Sequence, residues 1–110
     1  MIFEKERTTT LVSQENIDLN AFLKNLNGAY TKIKNDNIIV NLFSFSKLTA
    51  GDVLEFLQLS NAHREANRSF VLVTNSVSYD EVPDEISVVP TIQEARDIIE
   101  IEEIERGLGL

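Results

Sequence analysis

The sequence predicts an α/β domain, a mixed β-sheet with helices packed on it, in the order β(β)αβαβ(α)βα. Three observations carry this. Two short, almost continuously apolar runs, IIVNLF (38–43) and SFVLVTN (69–75), read as strands covered on both faces. Residues 18–32 before the first run, and 50–66 between the two, repeat apolar residues at helical spacing. Strands alternating with helices imply parallel pairing through right-handed crossovers. At 110 residues the chain suits one core, so 1–110 reads as a single domain.

Residues 2–12 carry β-favouring side chains on both sides of the charged 4–7 stretch, and read as one or two short strands, for example a hairpin. Asp18 can cap a helix in which Leu19, Phe22, Leu23, Leu26 and Tyr30 share a face. Asn35-Asp36-Asn37 is a turn signal ahead of the 38–43 strand. The helix expected over 50–66 buries a broad stripe of Val53, Leu54, Phe56, Leu57 and Ala62, and the polar SNAHREANR stretch ends it. VSYDEVPDE reads as a loop or a single helical turn, and ISVV (86–89) as a short third strand bounded by Pro90. Thr91 and Glu94 then spell a capping box. The helix behind them should run to about Arg106, with Gly107 as its stop.

Charge is unevenly spread. Residues 1–75 hold eight acids and eight bases, whereas 76–110 hold ten acids and two arginines, the whole source of the net charge of −8. Such a surface repels nucleic acid, and it either attracts a basic protein partner or is a solvated helix face that only aids solubility. No apolar run approaches the roughly 20 residues that span a bilayer, and MIFEKERTTT lacks the apolar core of a signal peptide. With no cysteine there is no disulfide framework and no thiolate nucleophile. A cytoplasmic location is the default expectation, with no membrane contact.

Catalytic machinery is hard to find. The only histidine, His63, sits in His63-Arg64-Glu65 on the polar side of its helix and is expected to be exposed and inert. One histidine cannot assemble a zinc hydrolase site. Gly-x-Gly-x-x-Gly and Walker-type motifs are absent, so no nucleotide cofactor is expected. Glu100 and Glu103 share a helix side, yet solvated carboxylates explain them better than a metal site. The last helix carries one stripe of Ile92, Ala95, Ile98 and Ile99, extended by Ile101, Ile104 and Leu108, with Leu110 beyond. A single sheet buries one stripe, so the excess suits a protein interface or a homodimer, or else further packing within the domain.

The stretch SFSKLTAGDVLEFL (44–57) places hydroxyls and a glycine ahead of a helix. It could hold an anion at the helix N-terminus, with Gly51 permitting close approach. The favoured reading is a cap, with Thr49 as the capping residue and Asp52 at the third helical position.

From 38 to 98 the chain resembles the STAS domain of bacterial anti-sigma-factor antagonists. Val40-Asn41-Leu42 is similar to that family's strand ending in Asp-Leu or Asn-Leu, and Val53 to Leu57 to its apolar helix. Phe70-Val71-Leu72-Val73 matches a later strand, and Pro90-Thr91-Ile92-Gln93-Glu94-Ala95 the start of the closing helix. The resemblance implies a switch in which a partner kinase phosphorylates a Ser or Thr in an Asp-Ser-Ser-Gly or Asp-Ser-Thr-Gly turn. Counted from Asn41 without gaps, those four positions fall on Thr49, Ala50, Gly51 and Asp52, and none matches. Thr49 is the nearest candidate phosphoacceptor, ahead of Ser44 and Ser46, and Asp52 would repel a phosphate there.

The closing stretch VVPTIQEARDIIEIEEIERGLG (88–109) is also similar to that of small acidic STAS-like proteins labelled ribonuclease Z. That name belongs to a zinc nuclease with a His-x-His-x-Asp-His motif, which this sequence lacks. The expected function is therefore a non-enzymatic interaction module. Its partner, a sigma-factor regulator or kinase, should dock on Ser44, Ser46, Lys47, Thr49, Gly51 and Asp52 or on the acidic last helix. The alternatives are a small-ligand or anion binder and a non-catalytic accessory to a nuclease.

Overall fold

A computed structural model describes residues 1–109; Leu110, named above as an apolar extension of the last helix, lies outside the described residues. The chain opens with a hairpin in which β1 (Ile2–Glu6) runs antiparallel to β2 (Thr9–Ser13). Arg7 turns the corner in the left-handed region, at φ 57°. β1 is exposed along its length, so the Glu4-Lys5-Glu6 charges that interrupt the strand pattern cost nothing in burial.

α1 (Leu19–Ile33) starts where Asp18 accepts the Ala21 N–H at 2.8 Å, and buries Phe22, Leu26 and Ile33. There follow β3 (Asn37–Asn41), α2 (Ala50–Leu54), α3 (Leu57–Glu65), β4 (Phe70–Val73), a 3-10 turn (Tyr79–Glu81), β5 (Ser87–Val89) and α4 (Ile92–Gly107). The five strands form one sheet in the order β1-β2-β3-β4-β5, with β2 to β5 all parallel. A sheet whose order follows the sequence sends every right-handed crossover over the same face. α1, α2 and α3, with Val77 and Val82 on either side of the Tyr79 turn, accordingly pack on one side, against Val12, Ile38, Val40, Phe70, Leu72 and Val88. α4 follows the last strand and crosses to the other side, where Ala95 and Ile99 cover Leu11, Ile39, Val71 and Val73.

The helix expected over 50–66 is two helices. Glu55 and Phe56 donate to Asp52 and Val53, three residues back instead of four, and this tightening swings Phe56 into the core beside Phe22. The buried stripe is Val53, Phe56, Ser60 and His63, whereas Leu54 and Ala62 face out. α3 then ends at Asn67, which adopts φ 63° and supplies the left-handed residue without a glycine. At the end of α4 that role belongs to Gly109 (φ 74°), not Gly107, which is still helical.

Ser60 is fully buried, and its hydroxyl has no hydrogen-bond partner among the described residues. An unmet buried hydroxyl carries a desolvation cost, and alanine is the better helix former by a few tenths of a kcal/mol. Ser60→Ala is expected to raise stability by about 0.5–1 kcal/mol, read as a higher urea midpoint at unchanged slope.

Candidate functional site

β2 to β5 run parallel, so their carboxyl ends share one edge of the sheet, where ligands of open α/β sheets usually bind. The segment predicted as the docking loop lies there and is held from both sides. Asn41 Oδ1 accepts the Phe43 N–H at 3.0 Å, and the Ser44 hydroxyl donates to the Gln14 carbonyl at 2.9 Å. The Ser76 hydroxyl donates to the Ser46 carbonyl at 3.3 Å. Leu48 is buried and Phe45 stands edge-on to Phe22, 5.5 Å between centroids. Lys47 is exposed, and so are Ser44, Ser46, Thr49 and Gly51. Two apolar side chains stay open at this level of the chain, Phe43 at 44% and Leu54 at 41% exposure.

Thr49 caps α2. Its hydroxyl accepts the Asp52 N–H at 3.1 Å, and the Asp52 carboxylate accepts the Thr49 N–H at 2.9 Å. The first turn of this five-residue helix is thus filled by a carboxylate of its own, and a phosphate on Thr49 would face that carboxylate. Thr49→Ala removes the acceptor for Asp52 N–H, with an expected loss of about 1 kcal/mol. For a domain of this size that is a fall of about 4–8 °C in melting temperature.

Beside the loop, past Ser76, a cleft of about 420 Å³ opens at the carboxyl ends of β4 and β5. Val77, Val88, Val89 and Pro90 give it apolar walls, with Tyr79 and Glu94 among its polar groups. Thr91 caps α4 here by accepting the Glu94 N–H at 3.1 Å. Glu94 does not complete the box on the backbone; its carboxylate takes the Thr91 hydroxyl instead, at 3.1 Å.

The opposite edge holds a polar network that the sequence reading missed. His63, expected to be exposed, is fully buried. Its Nε2 lies 2.7 Å from the Asp36 carbonyl, which can only accept, so Nε2 carries the proton. Nδ1 then accepts from the Tyr30 hydroxyl, at 2.7 Å. Burial pushes the imidazole below its usual pKa, aided by the Arg68 charge and opposed by the Asp36 carbonyl and carboxylate. Burial also raises the Tyr30 phenol, and both shifts favour this neutral pair. Nearby, the buried Asn37 side-chain oxygen accepts from Ser69 N–H at 2.8 Å and from the Arg106 guanidinium at 3.2 Å. Ser69 Oγ in turn donates to Glu102 at 2.5 Å. The signal for His63 was its spacing: Val53, Phe56, Ser60 and His63 keep a helical period, with polar residues at the last two core positions.

Glu103 accepts the Thr8 hydroxyl at 2.9 Å, and among the described residues no three His, Asp or Glu side chains converge as a metal site would require. No described helix is long and apolar enough to cross a membrane. Ile101, Ile104 and Leu108 remain largely exposed, outside both core clusters of the described residues. No protein-family model matches the chain, and no curated protein matches its sequence.

Proposed function

We propose that the chain is a protein-interaction module of STAS-like fold, without catalytic machinery of its own, that docks a protein partner across the carboxyl-terminal edge of its parallel sheet. The observation that carries this is the loop 42–49, fixed by hydrogen bonds to Gln14 and Ser76 yet leaving Phe43 open. A surface ordered before binding loses little conformational freedom on association. The adjoining apolar cleft gives a partner side chain somewhere to anchor. The sequential strand order, with three helices on one face and one on the other, supports the STAS-like reading. Thr49 serves as a helix cap, so docking is constitutive, to a sigma-factor regulator, a kinase or an enzyme such as a nuclease.

The test is capture from native lysate by immobilised wild type, Phe43→Asp and Thr49→Glu chains, read by mass spectrometry. A partner held by wild type and lost by Phe43→Asp at unchanged melting temperature is the expected result. Equal capture by both would remove this edge as the docking site. Loss in Thr49→Glu alone would instead make Thr49 the acceptor of a working switch.

A further inference from the structure

α4 has two apolar sides. Ala95 and Ile99 face the sheet. At 3.6 residues per turn, Ile101, Ile104 and Leu108 line up on the opposite side, and they are 55%, 58% and 69% exposed. An outward aliphatic row on a helix otherwise dressed in charge is the kind of surface that marks an interaction site.

The charges beside the row identify what fits it. Asp97 lies in line with it, and Glu94, Glu100 and Glu105 flank it by the same helical geometry. Among the described residues none of these four carboxylates is in a salt bridge. Both arginines of the helix are turned away. Arg96 pairs with Glu6 on β1 at 3.3 Å, and Arg106 is held by Asn37 and Ser69 at the sheet edge. A second copy seated on this face would bring four uncompensated carboxylates against four more, with no cation of either helix free to meet them. A partner with an apolar row between lysines or arginines meets both features at once.

We infer that the outward face of α4 is a second docking surface, separate from the carboxyl-terminal edge, and that its occupant is a basic amphipathic helix of another protein. The helix would set its i, i+3, i+4 and i+7 apolar residues against Ile101, Ile104 and Leu108. Its cations would pair with Asp97, Glu100 and Glu105.

The probe is a synthetic, fluorescently labelled peptide of about 18 residues, roughly the reach of α4 as a helix, with leucines in one helical row and lysines elsewhere. A peptide of the same composition with the leucines scattered is the control, both read by anisotropy at physiological salt. The amphipathic peptide should bind at least tenfold more tightly than the scattered one. Ile101→Ser/Ile104→Ser and, separately, Glu100→Lys/Glu105→Lys should each weaken it at least tenfold, whereas Phe43→Asp should bind it as wild type does. Equal binding of the two peptides would reduce the effect to bulk charge and overturn the inference. Binding indifferent to the isoleucines, or lost with Phe43, would overturn the location. A dimer detected by light scattering and dissolved by Ile104→Ser would overturn the choice of occupant in favour of a second copy.

Discussion

His63→Ala is expected to lower stability by about 3–5 kcal/mol, the combined effect of a core void and orphaned polar partners. The Asp36 carbonyl loses its donor and the Tyr30 hydroxyl its acceptor. A domain of this kind has about 5–15 kcal/mol in total, so the variant should sit close to unfolding at ambient temperature. His63→Gln keeps an amide N–H near the place of Nε2 and should cost less than half as much. The same pair of chains tests the pH dependence. The unfolded imidazole takes up its proton as pH falls through about 6.5, while the buried one resists until lower pH. The unfolded state therefore binds more protons across that window. His63's contribution is complete above about pH 6.5 and declines as the solution is acidified. Between about pH 7.5 and 5.5 the urea midpoint of wild type should fall relative to that of His63→Gln; parallel profiles would show that His63 titrates alike in both states.

Phe22→Ala should be comparably damaging, at about 3–5 kcal/mol. Phe22 is fully buried and stands edge-on to both Phe45 and Phe56, at 5.5 and 6.3 Å. It therefore ties α1 to the 42–49 loop on one side and to the α2–α3 bend on the other. Its removal should destabilise the whole chain and also loosen the loop, seen as faster amide exchange over 43–48 than elsewhere in the native state. Phe22→Leu should restore most of the stability. Uniform exchange in the alanine variant would show that the loop is held by its hydrogen bonds to Gln14 and Ser76 alone.

Much of the fold was legible because burial and period agree. β3 and β4 are covered on both faces and read as almost continuous apolar runs. Asp18, Thr49 and Thr91 act as the caps their positions suggested. What escaped reading depended on partners remote in sequence. His63 looks solvent-exposed among SNAHREANR, and only Tyr30 and Asp36, 33 and 27 residues away, make its burial affordable. The bend at Glu55 and Phe56 contains neither glycine nor proline; the pull of the core on Phe56 produces it. Of the candidate site, the cap chemistry was legible. The bracing of the loop by Gln14 and Ser76 was not, since it joins residues 30 apart.

The agreement between strand order and chain order also bears on how the molecule assembles. Each strand after the first adds to the edge left by its predecessor, so no parallel ladder joins residues further apart than the 32 between Ile38 and Phe70, and none needs a more distant segment to arrive first. α4 is the exception: its ties from Arg106 to Asn37 and from Glu103 to Thr8 span 69 and 95 residues. A helix that clasps a sheet already built should contribute little to the folding barrier and much to keeping the product shut. Arg106→Met is accordingly expected to speed unfolding several-fold while leaving the refolding rate nearly unchanged. In that order of events α4 acts as a latch, closing last and opening first.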